Sequence, residues 1–201
     1  MPGLKVCGIT DAGFAVYAAE QGVDYLGFVF AANSPRCVTV ERANLIAGKV
    51  RGRVGRVPRL VGVFTTQSVR EILRIASSVR LDVIQLHGDY FDGDVMALKT
   101  EGYEVWRLWN GKPDCEDAVL LDGRRGNASG LAEWTLVAPL KAEGRRVVLA
   151  GSISSSNIVD AIRTGADAID VSSSLESAPG IKSTSLLDAF ITAFRQGSRV
   201  A

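Results

Sequence analysis

LVGVFTTQSVREILRIASSVRLDVIQLHGDYFDGDVMALKTEGYEVWRL, residues 60–108, is the stretch whose reading decides the fold. Leu60–Phe64, Val83–His87 and Glu104–Leu108 have the length and composition of strands, and between them Ser68–Ser77 and Gly93–Glu101 have the length and spacing of helices. Strands joined through intervening helices must run parallel, because an antiparallel pair needs no crossover of that size. A parallel sheet with helices on its faces follows.

The same alternation extends outward in both directions. Towards the N-terminus stand a strand ending at Cys7, a helix over Asp11–Gln21 closed by Gly22, a strand over Tyr25–Phe30 and a helix from Val40 to about Val50. Arg51–Pro58 reads as a basic, solvated turn. Beyond Leu108, Pro113–Asp117 is too short and polar for a helix, Ala118–Leu121 is a strand and Asp122–Leu131 a glycine-rich loop. Trp134–Glu143 is a helix that Pro139 must delay, bend or break. Strand Val147–Ala150, helix Asn157–Thr164, strand Ala168–Val171 and helix Ser185–Arg195 complete the string. Repeated strand–helix units in 201 residues predict an α/β fold, a single-domain (βα)8 TIM barrel over the whole chain. A doubly wound open sheet with one extra unit would give a similar string.

Composition excludes several classes. With 47% hydrophobic and 22% charged residues the chain is an ordinary globular protein, and a net charge of +1 provides no global field for nucleic acid or an anionic membrane. No apolar run reaches the roughly 20 residues of a membrane span, and the start of the chain has no secretory pattern, so a cytoplasmic address is expected. Three cysteines and one histidine, without C-x-x-C spacing, speak against a disulfide frame or a structural metal. Chemistry without a cofactor is expected.

In a barrel the reactive groups stand where strands end and βα loops begin. Period two puts Lys5 and Cys7 on one face of the first strand, so an ammonium beside the thiol should lower its pKa and make it a usable base; the bland alternative is a small buried hydrophobe. Thr10 or Asp11 can cap the following helix. Gln85 and His87 share a face of the fourth strand and would both enter the barrel, as catalyst, ligand or satisfied structural groups. Asp122, at the end of an apolar strand, can be desolvated into a general acid or can serve as a turn aspartate. Arg36, behind Pro35, could form a bidentate pair with a carboxylate or be solvated. Gly151-Ser152-Ile153 and Ser172-Ser173-Ser174 follow the last two strands, where barrels usually bind phosphate.

In order along the chain, Lys5-Val6-Cys7-Gly8-Ile9-Thr10, Gly27-Phe28-Val29-Phe30 with Ser34-Pro35-Arg36, Val61-Gly62-Val63-Phe64, Gln85-Leu86-His87-Gly88, Leu120-Leu121-Asp122, and Asp170-Val171-Ser172-Ser173 with Glu176–Lys182 closely resemble the phosphoribosylanthranilate isomerase family of tryptophan biosynthesis. The resemblance implies a cofactor-free Amadori rearrangement, in which an N-(5-phosphoribosyl)anthranilate aminoaldose becomes a 1-deoxyribulose 5-phosphate ketose. By resemblance Asp122 is the general acid that opens the ring and Cys7 the general base at sugar C2′. Arg36 would hold the anthranilate carboxylate, Gln85 and His87 line the pocket, Asp170 orient the substrate, and Gly151, Ser152, Ser173 and Ser174 bind phosphate. The implied partner is a small phosphosugar, with no nucleic acid or membrane, in a monomer or homodimer.

The chain departs from the family pattern in its second half. Gly126-Asn127-Ala128-Ser129 stands for a Gly-Gly-x-Gly loop, Ala132-Glu133-Trp134 for Phe-Asp-Trp, Gly151-Ser152 for Gly-Gly, and Ser172-Ser173-Ser174 for Ser-Ser-Gly. Asn127 tolerates left-handed geometry. Ser152 and Ser174 are expected to sit at ordinary φ, keeping an N–H donor and adding a hydroxyl for phosphate; at positive φ each would be strained by about 1 kcal/mol. The altered loops leave two alternatives, a barrel acting on a related phosphorylated aminosugar and a catalytically silent ligand-binding relative.

Overall fold

A computed structural model describes residues 1–112, 115–123 and 134–200. Eight parallel strands close into a barrel in sequential order, β1 (Gly3–Cys7), β2 (Tyr25–Val29), β3 (Arg59–Phe64), β4 (Val83–Leu86), β5 (Glu104–Leu108), β6 (Ala118–Asp122), β7 (Val147–Ala150) and β8 (Ala168–Val171). Closure through the β1–β8 pair, with Lys5 opposite Asp170, eliminates the open-sheet alternative. Around the barrel run α1 (Ala12–Glu20), α2 (Val40–Arg53), α3 (Val69–Val79), α4 (Asp92–Thr100), α5 (Val137–Ala142), α6 (Ile158–Arg163) and α7 (Thr184–Val200). Among the described residues no helix is long and apolar enough to cross a membrane.

Local chemistry sets the element boundaries. Asp11, not Thr10, caps α1 by accepting from the Phe14 N–H at 2.8 Å, and Gly22 leaves the helix at φ 85°. Thr39 and Ser68 cap α2 and α3 in the same way. Pro139 falls in the first turn of α5, where its missing N–H costs nothing, and Trp134–Leu136 form a short 3-10 turn ahead of it, so the helix starts late. Helix α2 runs three residues beyond the expected Val50. There Arg51 folds back and donates from Nη2 to the carbonyls of Val79 and Arg80, converting part of a supposed solvated turn into helix.

Strand alternation divides the core into two layers. Leu4, Val6, Leu26, Phe28 and their counterparts face the helices, where burial of apolar surface contributes most of the stability. The interior is filled low down by Val61, Val83, Trp106, Leu120, Val148 and Ala168. Higher up the filling turns polar, with Lys5, Gln85 and Asp170 all buried. That change of filling places ionisable groups beneath the C-terminal mouth.

After β8 the chain makes a second small sheet, an antiparallel hairpin of β9 (Glu176–Ala178) and β10 (Ile181–Lys182) whose strands are too short to leave an alternating pattern in the sequence. Gly180 turns it at φ 82°. Asn127, Ser129, Ala132 and Glu133 lie outside the described residues, as do Pro113 and Asp114.

Candidate active site

One cavity at the C-terminal mouth gathers the expected residues from widely separated elements: Cys7 from β1, Arg36 from the loop after β2, Gln85 and His87 from β4 and its exit, Asp122 from β6, and Asp170 from β8. Gly151, Ser152 and Ser173 line the same cavity. Ser174 does not. Its hydroxyl donates to the Ile153 carbonyl at 2.6 Å, so it ties the loops after β7 and β8 together instead of offering its proton to a ligand.

Cys7 is buried and Lys5 is on its face, as period two requires, but the expected fall in the thiol's pKa does not occur. Burial pushes the Cys7 thiol up; Lys5 and Lys182 oppose this, while Asp170 adds to it. Burial is the larger effect, and charge pairing between the neighbouring strands β1 and β8 adds to it. Lys5 Nζ donates to Asp170 Oδ2 at 2.6 Å, with the two side chains 0% and 8% exposed, so the ammonium reaches Cys7 already compensated. For Lys5 itself burial opposes the charge, yet Asp170 and Cys7 together hold its pKa above the ordinary value. Burial raises the Asp170 carboxyl, against the pull of Lys5. Gly27 makes room for this arrangement: a Cβ there would lie 2.9 Å from Cys7 Sγ and 3.3 Å from Lys5 Cε.

Asp122 is only 14% exposed and its Oδ2 lies 3.3 Å from His87 Nε2, so the two groups foreseen separately form one pair. The His87 backbone N–H still continues the ladder, donating to the Phe64 carbonyl at 2.8 Å, which points its side chain inward just past the end of β4. Behind the acid, Gly151 adopts φ 87°; a Cβ there would strike the Gly123 backbone N and come within 2.9 Å of Asp122 Oδ1. Only glycine fits that approach. Ser152, contrary to the expectation of ordinary geometry, has φ 50°. The loop keeps the backbone path of two successive left-handed residues although the second carries a side chain.

Two buried oxygens in the cavity wall, Gln85 Oε1 and Asp170 Oδ1, have no hydrogen-bond partner among the described residues. Desolvated acceptors of this kind are costly unless a donor arrives, so the polar floor suits a ligand rich in hydroxyl or amine groups. Among the described residues no cluster of three metal-ligating side chains occurs.

Arg36 does make the bidentate carboxylate contact foreseen for it, but with Glu176 of β9: Nε donates to Oε1 and Nη2 to Oε2, each at 2.7 Å. In the sequence Glu176 stands out only as part of the Glu176–Lys182 motif. No periodicity could have paired it with a residue 140 positions away.

The family model described as N-(5'phosphoribosyl)anthranilate (PRA) isomerase matches residues 4–193. An N-(5'-phosphoribosyl)anthranilate isomerase of Rubrobacter xylanophilus is 38% identical over 96% of this chain and 98% of its own length. One from Roseiflexus castenholzii is 37% identical over 98% and 99%. Among solved structures, phosphoribosyl anthranilate isomerase from Thermus thermophilus superposes with a TM-score of 0.84 at 33% identity, covering 96% of this chain and 98% of that one. A phosphoribosyl anthranilate isomerase in complex with reduced 1-(o-carboxyphenylamino)-1-deoxyribulose 5-phosphate gives 0.81 at 28% identity, covering 98% and 100%.

Proposed function

The chain belongs to the N-(5'-phosphoribosyl)anthranilate isomerase family, and on that premise we propose that it catalyses the Amadori rearrangement of N-(5'-phosphoribosyl)anthranilate in tryptophan biosynthesis. The observation that carries this reading is the convergence of Cys7 and Asp122 on one cavity, with Arg36 and the loops of Gly151, Ser152 and Ser173 also in its wall. Acid and base on opposed strands can act on two atoms of one substrate, and two anion-binding regions hold it in register.

In this reading Asp122 protonates the furanose ring oxygen, and its neighbour His87 keeps the carboxyl oriented at 3.3 Å. Ring opening leaves a cationic Schiff base. That new positive charge favours the Cys7 thiolate and offsets the burial that raises its pKa, so the base is strengthened when the C2′ proton must leave. The enolamine that results becomes the ketose product by proton return. Arg36 takes the aryl carboxylate. Gln85 Oε1 and Asp170 Oδ1 accept from substrate hydroxyl or amine groups, gaining the donors they lack. Phosphate is held by the loops of Gly151, Ser152 and Ser173, with Ser174 bracing them from behind.

A small phosphosugar is the partner that this cavity supports, and a net charge of +1 gives no reason to add nucleic acid. A related Thermotoga maritima isomerase is dimeric; we take this chain to be a monomer or a homodimer. The test is a fluorescence assay with freshly generated phosphoribosylanthranilate. Wild type should turn over, while Cys7→Ser and Asp122→Asn should lose nearly all turnover and still bind the reduced product analogue. An inactive wild type, or an unaffected Cys7→Ser, would refute the reading.

A further inference from the structure

The hairpin β9–β10 packs against three of the loops at the C-terminal end of the barrel that supply the site. Thr10 Oγ1 donates to the Gly180 carbonyl at 2.7 Å, freeing Asp11 to cap α1. A Cβ at Gly180 would stand 2.5 Å from the Pro35 carbonyl, which shows how closely the turn rides on the loop that carries Arg36. Lys182 Nζ donates to the Ser172 carbonyl at 3.0 Å and contacts the Ser172 hydroxyl at 3.2 Å, and that hydroxyl donates to the Cys7 carbonyl at 3.1 Å.

At the centre of these contacts is Glu176. It accepts two bonds from Arg36 and a third from Lys182 at 2.8 Å, with its side chain 4% exposed and that of Lys182 2%. Arg36 lines the cavity; Glu176 and Lys182 stand behind it. A guanidinium carries five N–H donors in a rigid fork, and Glu176 takes the Nε–Nη2 edge, leaving the outer edge for a second carboxylate. On the other side, a Cβ at Gly8 would fall 2.5 Å from Arg36 Cδ, so the glycine leaves room for the stem. Arginine and glutamate alone would be neutral; Lys182 makes the group of three net positive, as an incoming anion requires. The long side chain is thus ordered before substrate arrives, and the entropy of fixing it does not have to be met on binding.

We propose that Glu176, anchored by Lys182, is a positioning residue that presents the outer edge of Arg36 to the aryl carboxylate of the substrate. This rests on the isomerase reading and names the device that selects a carboxylated aryl group. Glu176 touches no substrate.

The experiment measures binding of two probes, reduced 1-(o-carboxyphenylamino)-1-deoxyribulose 5-phosphate and its counterpart without the carboxylate, to wild type, Glu176→Gln, Arg36→Ala and the double variant. Loss of orientation should weaken the carboxylated probe about tenfold in Glu176→Gln and raise KM similarly, while kcat and binding of the decarboxylated probe stay within about twofold. In the Arg36→Ala background Glu176→Gln should have no further effect on the carboxylated probe, because the two residues act as one unit. Glu176→Asp, which keeps the charge but shortens the reach, should move KM in the same direction; it serves if the glutamine variant does not fold. Equal weakening of both probes, effects of Glu176 and Arg36 that multiply, or a fall in kcat at constant KM would overturn the proposal. If wild type binds neither probe, the isomerase reading itself fails; if it binds both equally, only the carboxylate-selecting device fails.

Discussion

Replacing Lys5 by methionine tests the electrostatic centre of the barrel. The substitution keeps much of the aliphatic stem but removes the ammonium that donates to Asp170 at 2.6 Å. Asp170 Oδ1 is already without a partner, so the carboxylate would then be buried at 8% exposure with neither oxygen held by a side chain. Removing one member of a buried pair costs about 3–5 kcal/mol, because the desolvation of the survivor is no longer offset. Part of that cost is recovered by protonation. Burial has already raised the Asp170 carboxyl, and without Lys5 it must rise further. A carboxyl whose folded pKa exceeds its unfolded value binds more protons folded than unfolded between the two. Its favourable contribution is complete below the unfolded pKa and disappears as pH rises through the folded one. The deficit of Lys5→Met relative to wild type is therefore smallest in mild acid and grows through neutrality, by about 1.4 kcal/mol for each unit by which the substitution raises the folded pKa of Asp170 beyond its wild-type value. Urea unfolding followed by tryptophan fluorescence, at pH 5 and pH 8, measures it. The double variant Lys5→Met/Asp170→Asn should recover a large part of the loss, since a neutral amide costs less to bury than an unpaired carboxylate. A loss below about 1 kcal/mol, a larger deficit at pH 5 than at pH 8, or a double variant weaker than the single one would refute this account of the pair.

Two further outcomes follow from the same site. Alkylation of Cys7 by iodoacetamide, resolved from Cys37 and Cys115 by peptide mass spectrometry, should show an apparent pKa above that of a free thiol, because burial outweighs Lys5; a value below the free thiol's would mean that the ammonium dominates after all. Ser152→Gly should be neutral or stabilise the protein by up to about 0.6 kcal/mol, the relief of about 1 kcal/mol at the left-handed serine less about 0.4–1 kcal/mol for the extra freedom of glycine in the unfolded chain, and raise Tm by no more than roughly 2 °C; a loss of more than about 0.5 kcal/mol would show that the serine side chain contributes more than its backbone costs.

The sheet was legible because its determinants are local. A strand buried on both faces needs an unbroken apolar run, and Tyr25–Val29, Leu60–Phe64 and Val147–Ala150 announce themselves in that way. Helix starts were legible for the same reason, as Asp11, Thr39 and Ser68 reach only three residues ahead. The sharing of a face by Lys5 and Cys7, and by Gln85 and His87, needed nothing beyond the period of a strand. Resemblance then brought Cys7, Arg36, Asp122 and the phosphate loops into one expected site, which the fold draws into one cavity.

What the sequence by itself determined, then, is the kind and order of the elements and which side chains emerge at the strand exits. Only the tertiary structure decided what those side chains meet. The Lys5 charge was visible, but its neutralisation by Asp170, 165 residues away, was not, and that neutralisation helps reverse the direction of the Cys7 shift. The readiness of Arg36 for a carboxylate was visible, whereas its tie to Glu176 arose when a hairpin after the last strand folded over the loop after the second. The left-handed φ of Ser152, next to the Gly151 that approaches Gly123 and Asp122, runs against the local preference of serine. Backbone propensity acts over a few residues and is written in their order. Desolvation, charge pairing and steric approach depend on distances in space, which closure of the barrel creates.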